Sequence, residues 1–329
     1  MSENYRIGFD LGGTKMLSIL YNEDFEPIAR ERRKTRGHEG VEFGLNRICE
    51  TIDRTLDKAD VAPDQVIGIG VGCPGTLNLD AGVIMDAPNL GWKNARIGKI
   101  LRDRFECDVS IANDVDAGVY GEYRFGAAKG ARCVVGVFPG TGVGGGCVYE
   151  GRILRGKRSS CMEVGYMPLM GSGPRAGSGP PGSLEALASR LAISGEAAKA
   201  VYRGQAPNLM QSAGTNIADI RSGVLARAIA DGDESIKLIV EEAADYVGQA
   251  VGTLVNLLAP EIVILGGGLV EAMPDIYLPA VKKGARKTVL PELASEFETR
   301  VAELGDDSTT MGVAGWVEEE SSRARIAAE

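Results

Sequence analysis

The sequence has very little histidine and no closely spaced cysteines, which removes several kinds of active site. His38 is the only histidine among 329 residues and lies in a predicted loop, so a Ser-His-Asp site or a multi-histidine metal site is not expected. The six cysteines are scattered without a CxxC pair, and we interpret them as reduced, mostly buried thiols. Acid–base chemistry must then come from carboxylates, lysine or tyrosine.

Long apolar runs and strongly basic stretches are also absent. No run of 18 apolar residues occurs, so no membrane span is expected. The net charge is −9 and no basic cluster is longer than Arg30 to Lys34, which argues against a nucleic-acid surface because phosphate backbones attract basic patches. Ser2 to Tyr5 leads into a predicted strand without a secretory signal, so a cytoplasmic location is expected.

Glycine, in contrast, is abundant: the chain has 45 glycines, roughly twice the usual share of about 7%. Two glycine turns, Asp10 to Lys15 and Gly140 to Gly146, each follow a strand-like run and precede another. Glycine allows backbone N–H groups to crowd around an anion where a Cβ would collide. The duplication therefore predicts two turns that hold a polyphosphate between two domains.

The order of the predicted elements indicates an α/β fold made of two related halves. Three strands in a meander occupy residues 5–35, and the pattern of strand, glycine turn, strand and strand restarts at residue 131. Helices and short strands alternate after each meander, which is typical of mixed sheets flanked by helices with a ligand cleft between domains. We expect a small N-terminal domain over 1–115, a large domain over 116–307, and a C-terminal helix over about 308–329 that packs back on the small domain.

Two local motifs have competing interpretations. Gly140, Gly142 and Gly145 match G-x-G-x-x-G, but the residues that follow form a predicted hairpin strand, whereas a dinucleotide site needs a helix there. Asn113 and Asp114 lie between a strand and a helix. The pair can be a helix cap, and Asp114 is also well placed as a general base for a substrate hydroxyl.

In this order and spacing, the motifs resemble the ROK family (repressors, open reading frames, sugar kinases) of the hexokinase–actin–Hsp70 superfamily. The resemblance extends over nearly the whole chain and implies a two-domain actin-like ATPase (ribonuclease H-like) fold. Its motifs are Asp10-Leu-Gly-Gly-Thr-Lys15, Cys73-Pro-Gly75, Pro88-Asn-Leu-Gly-Trp92, Asn113-Asp-Val-Asp-Ala117, Gly140-Thr-Gly-Val-Gly-Gly-Gly146, Glu163-Val-Gly165, Gly182-Ser-Leu-Glu185 and Ile262-Val-Ile-Leu-Gly-Gly-Gly268.

The resemblance implies an ATP- and magnesium-dependent hexose kinase, most simply a glucokinase, with Asp114 as the base that deprotonates the sugar 6-hydroxyl. Asp10 would contact magnesium through water. The sugar would be bound by Gly75, Asn89, Asn113, Asp114, Glu163, Tyr166 and Glu185. The ATP phosphates would be bound by Asp10, Gly12, Gly13, Thr14, Lys15, Gly140, Thr141 and Gly142, and the adenosine would be bordered by Gly266, Gly267 and Gly268. The family leans towards dimers and tetramers, so a homo-oligomer is expected.

The chain departs from the family at its zinc motif. Tyr166 stands where ROK kinases carry a histidine, and the three cysteines of the zinc loop are replaced by Ala176, Ser178 and Ser183. Structural zinc needs N or S ligands, so no zinc site is expected. The substrate alternatives are fructose, mannose, an N-acetylated aminosugar, or inorganic polyphosphate as donor. A non-catalytic sugar or nucleotide sensor is the alternative of another class, although a DNA-binding role is not expected because few residues precede the first strand.

Overall fold

The computed structural model describes residues 4–157, 161–177 and 179–328, with side chains up to residue 326. The first elements are β1 (Tyr5–Leu11), β2 (Lys15–Tyr21), β3 (Pro27–Lys34), α1 (Val41–Ala59), β4 (Val66–Cys73), β5 (Thr76–Asn78), β6 (Val83–Ala87), β7 (Trp92–Ala95), α2 (Ile97–Phe105), β8 (Asp108–Asn113) and α3 (Asp114–Arg124). Then follow β9 (Cys133–Pro139), β10 (Val143–Tyr149), β11 (Arg152–Ile153), α4 (Leu184–Ala188), α5 (Arg190–Tyr202), α6 (Pro207–Ser212), α7 (Ser222–Ala230), α8 (Glu234–Leu258), β12 (Ile262–Leu265), α9 (Gly268–Ala272), α10 (Pro274–Ala285), β13 (Glu298–Val301) and α11 (Ser308–Ala328).

The chain forms two compact units, each with its own core. Unit 1 comprises residues 1–130, 152–161 and 306–329, and unit 2 comprises 131–151 and 162–305. The predicted boundary after residue 115 would separate α3 from β8, whereas the structure keeps α3 in unit 1, since this helix packs along α11. Helix α11 also packs on β1 and β4.

Unit 1 is built on a mixed sheet in the order β3-β2-β1-β4-β8, with β1, β4 and β8 parallel and β2 and β3 antiparallel to their neighbours. Its core contains the apolar face of α1, which has Leu45, Ile48, Ile52 and Leu56 at helical spacing. A second, three-stranded sheet, β5-β6-β7, was not anticipated from the sequence.

Unit 2 repeats the arrangement in its own sheet. Strands β9 and β10 form an antiparallel hairpin, and β12 and β13 continue the sheet as parallel strands, in the order β10-β9-β12-β13. This order matches β2-β1-β4-β8 of unit 1, which confirms the predicted internal duplication. The long helix α8 and helix α10 pack closely on one another through Gly248 and Gly284, whose Cα atoms lie against the facing backbone.

The strand predicted after the second glycine turn is present as β10, but it begins at Val143, inside the predicted turn, so only Gly140 to Gly142 form the turn itself. A dinucleotide-binding turn requires a helix at this point, so that interpretation of Gly140 to Gly145 is excluded. No helix among residues 4–157, 161–177 and 179–328 is long and apolar enough to cross a membrane.

Candidate active site

Three parallel strands of unit 1 bring predicted site residues to the same edge of the sheet. In the strand register, Asp10 of β1 is level with Gly72 of β4, and the next residue, Cys73, is level with Asn113 of β8. Asp114 then begins α3. The carboxyl ends of parallel strands are the usual place for ligands in such sheets, and here they place Asp10 and Asp114 at the same edge, with β4 between their strands.

The carboxylate of Asp10 lies in an unusually negative environment. Burial, and to a smaller extent the charges of Asp114 and Asp306, raise the pKa of Asp10 to about 7, while the charge of Arg32 opposes them. Asp10, Asp306, Arg32 and Lys15 line one pocket within unit 1. A positive ligand beside Asp10 would relieve the repulsion of its carboxylate by Asp114 and Asp306.

The first glycine turn is held by strand β3 and its extension. The hydroxyl of Thr35 donates to the carbonyl of Gly12 at 2.6 Å, and the amide of Thr35 donates to the carbonyl of Thr14 at 2.9 Å. A Cβ on Gly13 would lie 3.3 Å from Cβ of Asn89, so the turn approaches the predicted sugar-binding loop closely. Lys15 is exposed, with its ammonium available to an anion.

Asn113 is a helix cap, as one of the two interpretations predicted. Its side-chain oxygen accepts hydrogen bonds from the amides of Val115 at 3.0 Å and Asp116 at 3.3 Å. The cap fixes the first turn of α3 and with it the backbone of Asp114. The hydroxyl of Thr309 on α11 donates to the carbonyl of Asp114 at 3.3 Å, so the C-terminal helix also supports this position.

Gly75 lies in a turn that only glycine suits. Its φ is +83°, and a Cβ would lie 2.2 Å from the carbonyl oxygen of Asp86. The turn connects β4 to the small sheet β5-β6-β7, and Asn89 lies in the turn between β6 and β7. Gly75 therefore follows β4 at the same end of the main sheet as Asp10, whereas Asn89 belongs to the small sheet and approaches the first glycine turn at Gly13.

In unit 2, the second glycine turn is closed on itself and tied to α4 and α5. The amide of Gly140 donates to the carbonyl of Gly142 at 2.8 Å, and Arg190 donates through its guanidinium to the hydroxyl of Thr141 at 2.9 Å. The carboxylate of Glu185 accepts a 2.9 Å hydrogen bond from the amide of Val143, the residue that follows the turn. Glu185, a predicted sugar-binding residue, is thus hydrogen-bonded to the chain at the end of the turn.

Glu163 and Glu185 lie close enough for their charges to interact. Burial raises the pKa of Glu163, and the charge of Glu185 raises it further. Gly165 allows the approach, because a Cβ there would lie 2.3 Å from the carbonyl oxygen of Val143 and 3.4 Å from Cβ of Glu185. The two carboxylates form a patch of acceptors suited to sugar hydroxyls.

The predicted adenosine border lies beside the second glycine turn. Gly266 and Gly267 follow β12, which pairs with β9 in register up to Leu265 and Val137. A Cβ on Gly266 would lie 2.3 Å from the ring of Phe138, and one on Gly267, where φ is +82°, would lie 2.9 Å from the carbonyl of Pro139. Unit 2 therefore joins the two glycine segments, and Gly268 begins α9 directly after them.

The structure also shows supporting residues that the sequence did not reveal. Thr35 donates a hydrogen bond to Gly12, Arg190 to Thr141, and Thr309 to Asp114. The charge of Asp306 raises the pKa of Asp10. Each lies far along the chain from the residue it contacts, so no local spacing could have identified it. Only the Asp306-Asp307 pair before α11 resembles a local signal, that of a helix start.

Comparison with known proteins gives a consistent result. A sequence model of the ROK family matches residues 6–320. The glucokinase of Halalkalibacterium halodurans is 30% identical over 323 residues, which cover 96% of this chain and 96% of that protein. The xylose repressor of Caldicellulosiruptor bescii is 27% identical over 93% of this chain and 76% of its own length.

Among solved structures, the ROK family glucokinase of Streptomyces griseus in complex with glucose and AMPPNP has a TM-score of 0.82 at 25% identity, covering 96% of this chain and all of that one. The similarity confirms the predicted fold class, an α/β actin-like ATPase fold. Because similar proteins include both kinases and repressors, the residues of the site must carry the functional argument.

Proposed function

This chain belongs to the ROK family and is a hexose kinase, and we propose that it transfers the γ-phosphate of ATP to the 6-hydroxyl of glucose, with Asp114 as the general base. One observation carries the proposal: Asp10 at the end of β1 and Asp114 after the end of β8 lie at the same edge of the sheet with only β4 between them, close enough for their charges to interact. A carboxylate beside a glycine turn that suits phosphate is the minimum such a reaction requires.

In the proposed reaction, Asp114 accepts the proton of the 6-hydroxyl while the sugar oxygen forms a bond to the γ-phosphorus. The bond from that phosphorus to the β–γ bridging oxygen breaks, and ADP leaves with the electron pair. Asp114 lies in the first turn of α3, where the positive end of the helix dipole stabilises its charge before the proton arrives. Asn113 and Thr309 hold the backbone of Asp114 in place during this transfer.

The glycine turns at Gly12–Lys15 and Gly140–Gly142 are proposed to bind the phosphates through backbone amides, with Lys15 as a cation. Gly75, Asn89, Glu163 and Glu185 are proposed to bind sugar hydroxyls, and Gly266 to Gly268 to border the adenosine. Asn113 supports the sugar site through its cap. These assignments rest on the local geometry of each unit and on the family resemblance. A dimer or tetramer stays a prediction.

Unit 1 offers magnesium the carboxylate of Asp10 but no full set of protein ligands: the described residues contain no group of three or more His, Cys, Asp or Glu side chains that could hold a metal ion, so the ion would be bound mainly through water and the phosphates of ATP. Carboxylate oxygens are the hard ligands that magnesium prefers, and Asp10 lies beside two further carboxylates whose repulsion a cation would relieve. Asp10 is the residue proposed to hold the ion through water. When bound with ATP, magnesium neutralises charge on the transferring phosphate.

The decisive variant is Asp114→Asn, which keeps the size of the side chain and removes its basicity. We expect kcat with glucose and ATP to fall at least about 10²-fold, the lower range for loss of a general base. Asp275→Asn is the matched control, because Asp275 is an exposed aspartate in the first turn of α10. A kcat for Asp114→Asn within a few-fold of the control would remove Asp114 from the reaction.

The hexose and the phosphoryl donor are tested together. Purified protein is assayed with glucose, fructose, mannose and N-acetylated aminosugars, each with ATP and with inorganic polyphosphate, by ADP release and by detection of the sugar phosphate. We expect glucose with ATP to give the highest kcat/KM. Binding of a sugar without phosphorylation of any hexose would contradict the proposal and favour the sensor function instead.

A further inference from the structure

The zinc site that the ROK resemblance implies does not fit this chain. Its ligand positions carry Tyr166, Ala176, Ser178 and Ser183, and of these Ser178 lies outside the described residues. Ser183 is buried, with a hydroxyl that finds no hydrogen-bond partner in the described part of the chain. Neither methyl nor hydroxyl groups supply the N or S atoms of a tetrahedral zinc site. The loop after β11 in unit 2 must then be held by something else.

The ring of Tyr166 lies beside one turn of this loop, with the side chain part-exposed at 43%. It lies against Gly179, so closely that a Cβ on Gly179 would be 3.2 Å from Cδ1 and 3.4 Å from Cε1 of the ring. The amide of Gly179 in turn donates to the carbonyl of Ala176 at 2.8 Å. The aromatic ring therefore contacts the turn that contains Ala176 and Gly179. In zinc-containing relatives, the resemblance places a cysteine ligand at the position of Ala176.

Backbone hydrogen bonds hold the rest of this loop. The amide of Leu169 donates to the carbonyl of Gly182 at 2.9 Å, and the amide of Gly182 donates to Pro174 at 2.8 Å. Gly182 has a φ of +68°, and a Cβ there would lie 2.6 Å from the carbonyl of Met170, so the two arms of the loop are in direct contact. These contacts hold the two arms of the loop together.

The loop is also connected to the predicted sugar ligand. The amide of Leu184 donates to the carbonyl of Met167 at 2.9 Å, which joins the residue after Tyr166 to the start of α4. Glu185 is the second residue of α4, and its carboxylate accepts the amide of Val143. Pro174 to Gly177 line the pocket that Thr141 and Glu185 also line. A displacement of the loop would therefore move Glu185.

We propose that Tyr166 is a positioning residue that replaces the structural metal: its ring, packed on Gly179, holds the loop residues 170–177 and 179–183 and thereby orients Glu185 for the sugar. The role of Glu185 in this inference rests on the proposed function. The contact itself does not, because it concerns the structure of unit 2 alone.

The test uses two variants and a protease readout that is independent of turnover. Trypsin is the probe, since Arg175 is an exposed residue of the loop, and cleavage between Arg175 and Ala176 is followed by fragment mass. We expect Tyr166→Ala to be cleaved there at least about 10-fold faster than the unmodified protein, because the loop opens locally more often. Tyr166→Phe keeps the ring and should be cleaved within about twofold of the unmodified rate. Tyr202→Ala, which removes a remote and exposed tyrosine of α5, controls for loss of any tyrosine.

Kinetics then separate positioning from chemistry. In Tyr166→Ala, the KM for glucose should rise about tenfold while kcat stays within a few-fold, as expected when binding rather than the reactive group is lost. Equal cleavage rates for Tyr166→Ala and the unmodified protein, or equally fast cleavage of Tyr166→Phe, would overturn the inference. Stoichiometric zinc in the purified protein, measured by mass spectrometry, would overturn it as well. If no hexose is phosphorylated, the proposed function fails, yet the cleavage rates still decide whether the ring holds the loop.

Discussion

Replacement of one glycine in the C-terminal helix should disturb both the stability of unit 1 and its candidate base. Gly312 of α11 faces α3, and a Cβ built on Gly312 would lie 1.8 Å from the carbonyl oxygen of Ala117. The obstacle is backbone, so no rotation of a side chain can relieve the overlap. Helix α11 must therefore move away from α3 in Gly312→Ala.

The magnitude follows from two opposing terms. Overpacking of this kind costs about 3 kcal/mol, the upper end of the usual range. The change from glycine to alanine in a helix returns about 0.5–1 kcal/mol. The net loss of about 2 kcal/mol corresponds to a fall in the unfolding midpoint of about 4–8 °C for a domain of this size.

Gly223→Ala is the matched control. Gly223 also lies in a helix, as the second residue of α7, and a Cβ there meets nothing within 4 Å. This variant should gain the helix term alone and become more stable by about 0.5–1 kcal/mol. Thermal unfolding followed by circular dichroism compares the two proteins under identical conditions.

The same variant tests the coupling of α11 to the site. Thr309 lies one turn before Gly312 and bonds to the carbonyl of Asp114, so a displaced α11 should also lower kcat below that of Gly223→Ala. If Gly312→Ala were as stable as Gly223→Ala, the close packing of α3 on α11 would be refuted, and with it the support of Asp114 by the C-terminal helix.

Two further predictions concern unit 2. In Gly142→Ala, the new Cβ would lie 2.3 Å from Oε2 of Glu185 and would displace this carboxylate from the amide of Val143. Because a hydrogen bond to a charged group contributes about 1.5–3 kcal/mol, we expect the KM for the sugar to rise about tenfold or more. Gly223→Ala should leave that KM unchanged. The pKa of Glu163 is higher in the folded protein than in the unfolded chain, so ionisation of Glu163 destabilises the folded state. This destabilisation is absent below the pKa of the unfolded chain and grows as the pH rises above it. Glu163→Gln should therefore be more stable than the unmodified protein at pH 7.5 but not at pH 3.5. If the unfolding midpoints of the two proteins differed equally at both pH values, ionisation of Glu163 would not be the cause of the difference.

Several features could be predicted from the sequence because they depend on neighbours along the chain. The hairpins around the two glycine turns follow from strand-like runs that flank glycine, and the cap at Asn113 follows from its position between a strand and a helix. The duplication of strand order was visible for the same reason. These signals extend over a few residues, where backbone preference and hydrogen-bonding groups already limit the choice.

Other features required the tertiary structure. The alignment of Asp10 with Gly72, and of Cys73 with Asn113, comes from strand pairing between segments about 60 and 40 residues apart. The sheet β5-β6-β7 is made of short strands whose pattern is too brief to recognise.

The sequence by itself determined the repeated strand–glycine–strand segments, the cap at Asn113 and the loss of the zinc ligands, since each depends on residue type at a fixed local spacing. Tertiary structure alone decided that α3 packs on α11 rather than in the second unit, that Asp306 faces Asp10, and that the ring of Tyr166 lies on Gly179. The physical reason is that each contact joins residues that are not neighbours along the chain. Whether such residues meet depends on how whole helices and sheets pack, and at several contacts the packing is possible because a glycine has no Cβ.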